Sequence, residues 1–392
     1  MTSIPILKTD SLSKELKLQL KLLLIKDARL IDSHWFSDID WNEFYDLLLH
    51  HRTFSFLYGK LKDQPHVPQK IKQRLERMYK HFTFEMLHLT REMTTIHTMF
   101  QRQGIHTLFL KGPVLAKDLY GDLSLRTSSD LDVLVPIEEL EHVHTLLAQD
   151  GYVKDDYIRS VLGDWKWRHH HVAYHHPVKN IKLEVHWRLN PGPWKEPSFQ
   201  ELWTRKEACL FANEPLYRLG NEDLFLFLLS HGARHGWSRA RWLLDIAFLV
   251  DKEMNFHFLK RLFKRYHADQ LAGQALHLLH SLFNKSIRPE LQSYLTNKHG
   301  KELAQQTLFY YQNKINLHSD PVPDWVSRYH DHYLFQIKNP QQKLLFMLSF
   351  LYPYPEDQDV LSLPKHFHFL YFPLRPLLLV WKKMRKQVES TQ

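Results

Sequence analysis

A short apolar strand that leads into a glycine turn constrains this chain more than any other stretch. The apolar run Leu108–Leu110 is followed at once by Lys111-Gly112-Pro113, which favours a buried strand that ends in a tight turn. Pro113 suits the first position of a helix, because the N–H that proline lacks would be unpaired there, and we expect this helix to run to about Tyr120. The turn then presents backbone N–H groups beside the Lys111 ammonium, an arrangement that suits phosphate.

Two aspartates occupy the strand that closes this stretch. Arg126 and the pair Ser128-Ser129 precede the sequence Asp-x-Asp at Asp130 and Asp132. Because side chains alternate along a strand, both carboxylates project from one face. Two carboxylates in one small space favour a bound cation, and hard oxygen ligands favour Mg²⁺ over zinc. The alternative interpretation is a solvated strand end after a serine turn, since Asp-x-Asp alone is common.

The order of these motifs resembles a known family. The Lys-Gly turn, the helix that ends near Tyr-Gly-Asp and the Arg-x-x-x-Asp-x-Asp strand are similar to the uncharacterised nucleotidyltransferase family of the DNA polymerase beta-like superfamily. A later strand, Ile181–Trp187, resembles the family's acidic-x-His-Trp segment, so the resemblance implies that Glu184 is a third carboxylate. The wider superfamily usually has Gly-Ser at the turn, whereas Lys111-Gly112 stands here, as in the narrower family. This departure bears on how the triphosphate is held.

The resemblance implies a metal-dependent transfer of a nucleoside monophosphate from a nucleoside triphosphate to an acceptor, with release of pyrophosphate. Two Mg²⁺ ions, or Mn²⁺ in their place, would act as cofactors. The catalytic residues and metal ligands would be Asp130, Asp132 and Glu184. The nucleotide-binding residues would be Lys111, Gly112, Arg126 and Ser129. A protein hydroxyl, a sugar, a peptide or an RNA end would each suit as acceptor.

A second motif follows in the string HGARHGWSRARWLLDIA. It resembles the family's His-x-x-x-His helix followed by an Arg-x-x-x-Asp helix, and residues four apart in a helix share a face. The glutamate of a His-Glu-x-x-His zinc protease is missing, because Gly232 stands there. Residue chemistry alone favours packing and ion-pair roles, whereas the resemblance implies that these residues line the nucleotide or acceptor pocket. The pocket residues would be His186, His231, His235, Arg241 and Asp245.

A run of histidines invites a further metal interpretation. His169–His171 and His175-His176 lie in and before an expected strand. Adjacent histidines in a strand point to opposite faces and chelate one ion with difficulty, and no cysteine is nearby. We therefore predict no metal at this run, and a phosphate or acceptor contact as the role of any histidine that functions.

The length of 392 residues exceeds what one hydrophobic core usually serves. We expect residues 1–104 to form an N-terminal helical region, in which apolar residues from Ile71 to Phe100 recur every three or four positions as one long amphipathic helix. Residues 105–219 would form the nucleotidyltransferase α/β core, and residues 220–392 a C-terminal helical domain. The predicted fold class is α+β, with a small mixed sheet flanked by helical regions and mostly helical overall.

Charge and cysteine usage restrict the remaining classes. The single cysteine, Cys209, excludes a disulfide framework, and the lack of an apolar N-terminal segment or membrane span predicts a cytoplasmic protein. The net charge of +9 is spread along the chain, so it suits a nucleotide substrate better than direct nucleic-acid binding. The alternatives are a non-catalytic nucleotide-binding regulatory protein and an RNA-end nucleotidyltransferase. We expect the apolar tail Phe367–Val380 to close the last domain; association with an anionic membrane is the alternative.

Overall fold

The computed structural model describes residues 6–25, 27–211, 214–318 and 321–389. The molecule is 60% helical and contains a seven-stranded mixed sheet. The predicted α+β class, mostly helical, is therefore confirmed.

Four described α-helices precede the sheet. Asp40 caps the second of them, because its Oδ1 accepts the backbone N–H groups of Asn42 and Glu43 at 2.9 and 3.1 Å. The predicted amphipathic helix is continuous over 34 residues. The N-terminal helices are α1 (Lys14–Leu23), α2 (Trp41–His50), α3 (Phe54–Leu61) and α4 (Gln69–Arg102).

The sheet has the spatial order β3-β4-β5-β2-β1-β7-β6. Its central strand β2 pairs in parallel with β5 and antiparallel with β1, and β4 lies antiparallel on the other side of β5. The sequence did not predict the β6–β7 hairpin, which extends the sheet beyond β1. The strands are β1 (Leu108–Phe109), β2 (Asp130–Leu134), β3 (Val153–Lys154), β4 (His171–His176), β5 (Ile181–His186), β6 (Glu207–Phe211) and β7 (Glu214–Arg218).

The turn after β1 has the expected form. Gly112 has φ of 75°, a left-handed conformation that favours glycine, and a Cβ there would lie 3.5 Å from the Asp130 carbonyl oxygen. Pro113 begins the helix, which continues from Ala116 to Tyr120 as a π-helical turn. The short helices in this region are α5 (Pro113–Leu115), α6 (Leu140–Gln149), α7 (Trp165–Arg168) and α8 (Phe199–Thr204).

Nine described helices follow the sheet. The first six of them share one apolar core with α1, α2 and α3, whereas the last contributes Tyr371 and Leu378 to a small separate cluster with Val161. A second core lies between the sheet, α6 and the C-terminal half of α4, whose Met93, Ile96 and Phe100 are fully buried. The later helices are α9 (Asn221–Arg234), α10 (Ala240–Leu249), α11 (Phe256–Tyr266), α12 (Asp269–Phe283), α13 (Lys298–Gln312), α14 (Asp324–Gln336), α15 (Pro340–Ser349), α16 (Pro355–Val360) and α17 (Tyr371–Glu389).

The last helices pack against the loop that leads into β4. Tyr352 donates a hydrogen bond to the Leu162 carbonyl at 3.0 Å, and Arg159 pairs with Asp359 at 2.7 Å. The predicted tail helix is present as α17. None of the described helices has the length and apolar character needed to cross a membrane.

Candidate functional site

The register between β2 and β5 brings the predicted carboxylates together. Asp132 lies opposite Glu184, and Asp130 lies opposite Lys182. Because both strands alternate in phase, all four side chains project from the same face of the sheet. The three carboxylates that the sequence singled out therefore form one cluster.

Asp132 is the most buried of the three, with 1% of its surface exposed. Its Oδ1 lies 3.0 Å from the Lys111 Nζ and 3.2 Å from the His186 Nε2, and its Oδ2 has no hydrogen-bond partner among the described residues. Burial alone would raise the pKa of Asp132, but the Lys111 ammonium and the His186 hydrogen bond outweigh it and leave the pKa lowered. Asp132 is thus an ionised carboxylate with one oxygen available to a ligand.

Asp130 behaves differently from its neighbour. It is partly buried, and its Oδ1 is 3.4 Å from the Ser128 hydroxyl. Burial, and then the charge of Asp132, raise its pKa. A bound divalent cation would remove this repulsion, because an opposite charge nearby favours the ionised form.

Glu184 is held by cationic and imidazole groups. The Lys182 Nζ lies 2.6 Å from its Oε1, and the His186 Nε2 and His171 Nε2 lie 3.6 and 3.8 Å from its Oε2. These contacts overcome the opposing effect of burial and hold the pKa of Glu184 well below its usual range. Asp132 and Glu184 together raise the pKa of His186 against the effect of its burial, which favours an imidazole that donates to the two carboxylates.

A cavity of about 390 Å³ opens over this cluster, between the sheet and α9. Six of the predicted site residues line it: Lys111, Asp130, Glu184, His186, His231 and His235. The sequence had indicated a phosphate or acceptor contact for any functional histidine of the run that contains His170 and His171, whereas it had assigned no role to Lys182, although strand alternation placed Lys182 beside Glu184. The additional lining residues are His170, His171, Lys182, Pro191, Phe227, Arg234 and His318.

Arg126 does not face the cavity, contrary to the expectation that it clamps a triphosphate. Its Nε and Nη2 donate to the two carboxylate oxygens of Asp245 at 2.8 and 2.9 Å, and both side chains are at least 98% buried. Tyr120 donates to the same carboxylate at 2.7 Å. Arg241, one turn before Asp245 on α10, donates to the carbonyl of Thr127. These residues attach the loop before β2 to the C-terminal helices, outside the cavity lining.

Two further predicted nucleotide-binding positions lie at the edge of the site. Gly112 is buried and approaches the backbone of Asp130. Ser129 is exposed, and it is not among the residues that line the cavity. Both lie in the segments that frame β2, so the structure brings them close to the carboxylates without pointing Ser129 into the cavity.

The expectation that adjacent histidines of the run 169–171 point to opposite faces does not hold for His170 and His171. His170 lies just before β4 rather than within it, so its side chain does not follow the strand alternation. Its Nε2 lies 3.1 Å from the Nδ1 of His171, and His186 stands opposite His171 in the sheet. Ring nitrogens of the three histidines lie within 4.8 Å of one another. Adjacent histidines therefore do converge here. Burial and the charge of His186 lower the pKa of His171 to about 3, so its ring is neutral.

The donor atoms suit a divalent metal. Asp132, Glu184 and His186 can offer ligand atoms that lie within 4.8 Å of one another, and Asp132 keeps an unpartnered buried oxygen. Carboxylate oxygens are the ligands that Mg²⁺ prefers. The residues present therefore fit the cofactor that the sequence implied.

A larger cavity of about 910 Å³ lies between α1, α3 and the C-terminal helices. Leucines and the rings of Trp35, Phe56, Tyr120 and Phe248 make up much of its wall. The one carboxylate among its described lining residues, Asp251, is paired with Lys285 at 2.7 Å. This cavity lacks the cluster of acidic and imidazole groups that distinguishes the smaller one.

Comparison with known protein families gives a match over the part of the chain that contains this site. No curated protein and no solved structure matches the chain. The family model described as uncharacterised nucleotidyltransferase matches residues 37–284, which is more than half of the chain and includes the sheet, the carboxylates and the helices α9 and α10. The protein belongs to this nucleotidyltransferase family.

Proposed function

We propose that the protein transfers a nucleoside monophosphate from a nucleoside triphosphate to an acceptor hydroxyl and releases pyrophosphate, with divalent metal ions as cofactors. The observation that carries the proposal is the register that sets Asp132 against Glu184 with Asp130 beside them. Phosphoryl and nucleotidyl transfers need positioning and charge neutralisation more than covalent chemistry from the protein. A cluster of three carboxylates beside lysines on one sheet face supplies the groups for both.

Asp130 and Asp132 would hold the metal that accompanies the triphosphate, and Glu184 would help to hold a second metal on the acceptor side. Bound Mg²⁺ would neutralise the charge that develops on the phosphates and lower the pKa of the attacking hydroxyl. His186 donates to Asp132 at 3.2 Å and approaches Glu184 at 3.6 Å, so it orients the carboxylates of two strands at once.

Lys111 and Lys182 act as counter-charges to the carboxylates. Their ammonium groups lie 3.0 Å from Asp132 and 2.6 Å from Glu184. A metal bound between the carboxylates would take over this role and release both lysines. Phosphate oxygens are the natural new partners, because charge-assisted hydrogen bonds to phosphate are strong.

Arg234 takes the place in the cavity that we had expected for Arg126. It forms no ion pair with a carboxylate among the described residues, and its Nη1 lies 3.4 Å from the Nε2 of His170. A guanidinium can bind two phosphate oxygens at once, which an ammonium cannot. We assign Arg234 to the phosphates or to an anionic group of the acceptor.

The reaction would proceed in line at the α-phosphorus. The acceptor oxygen forms a bond to the α-phosphorus while the bond to the α–β bridging oxygen breaks, and pyrophosphate leaves with the bonding electrons. Glu184 stands at the cavity edge, where it can accept the proton of the hydroxyl directly or through water.

Incubation of the protein with α-labelled nucleoside triphosphates, Mg²⁺ and cell extract tests this proposal. We expect a labelled product and stoichiometric pyrophosphate, both of which depend on Mg²⁺ and disappear in Asp130→Asn. Tight binding of MgATP in calorimetry without pyrophosphate release would favour a regulatory nucleotide-binding protein instead. Label on RNA ends, with RNA affinity that falls steeply with salt, would identify the RNA-end transferase.

A further inference from the structure

We infer that His170, His171 and His186 form a binding site for a divalent transition-metal ion such as Zn²⁺, separate from the carboxylate ligands proposed for Mg²⁺. Only the reaction that such an ion would accompany depends on the proposed function. The site itself rests on the positions of the three imidazoles, all of which line the cavity beside Glu184.

The spacing of the imidazoles matches a coordination shell. The ring centroids are 4.4 Å apart for His170 and His171, 4.9 Å for His171 and His186, and 5.4 Å for His170 and His186. The distance of 3.1 Å between the His170 Nε2 and the His171 Nδ1 is close to the distance expected between two nitrogen ligands that each lie about 2.0–2.1 Å from one metal. Ring nitrogens of all three histidines lie within 4.8 Å of one another.

Two of these rings each place their Nε2 near a carboxylate. The His186 Nε2 lies 3.2 Å from Asp132, and its Nδ1 is buried and has no partner among the described residues. The His171 Nε2 lies 3.8 Å from Glu184, and its Nδ1 faces His170. Histidines that bind metals commonly donate their other N–H to a carboxylate, which fixes the tautomer and strengthens the ligand. Both rings therefore point their remaining nitrogen away from the carboxylates.

The nitrogens of His170 and His171 that face each other are bridged either by a single proton or by a metal ion. If His171 donates from Nε2 to Glu184, its Nδ1 carries a lone pair that faces the His170 Nε2 at 3.1 Å. Two lone pairs at that distance repel unless a proton or a metal ion lies between them. Arg234 is the competitor, because its Nη1 lies 3.4 Å from the same His170 nitrogen.

Ligand chemistry indicates the class of ion. Imidazole nitrogens suit Zn²⁺, Co²⁺, Ni²⁺ and Cu²⁺, whereas Mg²⁺ prefers oxygen. Three protein ligands leave a further position open to water or substrate. The site would therefore bind zinc-like ions in the presence of excess Mg²⁺.

Titration of Co²⁺ into the chelator-treated full-length protein tests the site, with the visible absorption of nitrogen-coordinated cobalt as the readout. We expect a band that Zn²⁺ removes and excess Mg²⁺ does not. His170→Ala and His171→Ala should each weaken Co²⁺ binding at least tenfold. His175→Ala, at an exposed position of the same strand, is the matched control and should keep the band. Arg234→Gln should strengthen binding, because it removes the competing cation.

Melting temperatures, with His170→Gln as a milder substitution, cover the case in which His170→Ala fails to fold. Zn²⁺ should raise the melting temperature of the wild-type protein and of His175→Ala but not of His170→Gln, since an ion that binds only the native state stabilises it. Asp130→Asn separates this inference from the proposed function: it should lose transfer yet keep the cobalt band. A band that persists in both His170→Ala and His171→Ala, or that excess Mg²⁺ abolishes, would overturn the inference.

Discussion

The three carboxylates occupy unequal positions, although two of them share one strand. Asp132 is buried and bound to Lys111 and His186, whereas Asp130 is partly buried and its only described hydrogen-bond partner is Ser128. Their pKa values move in opposite directions for this reason. Substitution of either aspartate should therefore reduce transfer, but the two substitutions should change stability in opposite directions.

We expect Asp130→Asn and Asp132→Asn each to reduce nucleotidyl transfer by several orders of magnitude. Without metal, Asp130→Asn should raise the melting temperature slightly, because it removes a charge that burial and Asp132 disfavour. Asp132→Asn should lower the unfolding free energy by about 3 kcal/mol, since it leaves buried cationic partners without their carboxylate. Thermal and urea denaturation of the two variants measure this contrast. The same shift in both would contradict the assigned electrostatics.

Lys111 and Lys182 form a matched pair of lysines with different carboxylate partners. We expect Lys111→Ala to weaken the binding of Mg-triphosphate about tenfold or more while it leaves monophosphate binding nearly unchanged, because the proposed function places this turn residue beside the β and γ phosphates. Isothermal titration with ATP and AMP provides the comparison, and the same titrations of Lys182→Ala show whether the second lysine of the cavity contributes to phosphate binding as well. Equal weakening for both nucleotides would remove Lys111 from the phosphate site.

Glu184 should separate binding from turnover. We predict that Glu184→Gln retains most of its affinity for Mg-triphosphate and loses transfer by several orders of magnitude, as expected when a group acts mainly in the transition state. Calorimetry and single-turnover assays measure the two quantities. If affinity falls as far as in Asp132→Asn, Glu184 is instead an ordinary ligand of the nucleotide metal.

At the scale of elements, α10 is fixed to the loop before β2 by a buried ion pair. Arg126 binds Asp245 through two hydrogen bonds, and Tyr120 adds a third to the same carboxylate. The position of β2, and with it of Asp130 and Asp132, therefore depends on a helix more than a hundred residues later in the chain.

Asp245→Ala should lower the free energy of unfolding by about 3–5 kcal/mol, because it leaves the Arg126 guanidinium buried without its partner. Transfer activity should also fall, since the loop before β2 loses its anchor. Urea unfolding gives the stability, and the double variant Arg126→Met/Asp245→Leu is the control that removes both charges. We expect the double variant to be more stable than Asp245→Ala; a less stable double variant would show that the pair itself, and not the unpaired charge, determines the effect.

At the scale of the molecule, helices of the N-terminal region and α9–α14 enclose one core. His51, at the C-terminus of α2, is completely buried in it, stacks on Tyr311 and accepts the backbone N–H of Ala240 at 3.3 Å. Burial, and then the charges of His50 and Arg239, hold the pKa of His51 well below its usual range. Protonation of His51 is therefore expected to destabilise this core in acid.

We predict that the protein loses stability as the pH falls from 7.5 to 5, and that His51→Gln loses less. A group whose folded-state pKa is lowered binds its proton more readily in the unfolded chain, so its contribution is present above about pH 6.5 and is lost below that value. The loss attributable to His51 is up to about 1.4 kcal/mol for each pH unit below 6.5. Urea titrations at several pH values test this, with the exposed His175→Gln as control. Parallel pH profiles for His51→Gln and the wild-type protein would disprove it.

The local sequence determined the parts that depend on short-range chemistry. The turn at Gly112, the cap at Asp40, the long helix α4 and the shared face of Asp130 and Asp132 all follow from spacing and residue type, because each is set by neighbours within a few positions. The family and the fold class were also predicted correctly from such motifs. The division at residues 104 and 219 stays a prediction.

The tertiary structure alone decided which side chains share a site. Arg126 resembled a phosphate ligand until Asp245, distant in sequence, proved to be its partner, and Arg234 lines the cavity without a local signal that marks it. His170 and His171 converge with His186 only because β4 begins one residue after His170 and pairs with β5. Alternation along a strand fixes the face of a side chain, but strand boundaries and the partners that cross the core come from packing between distant segments.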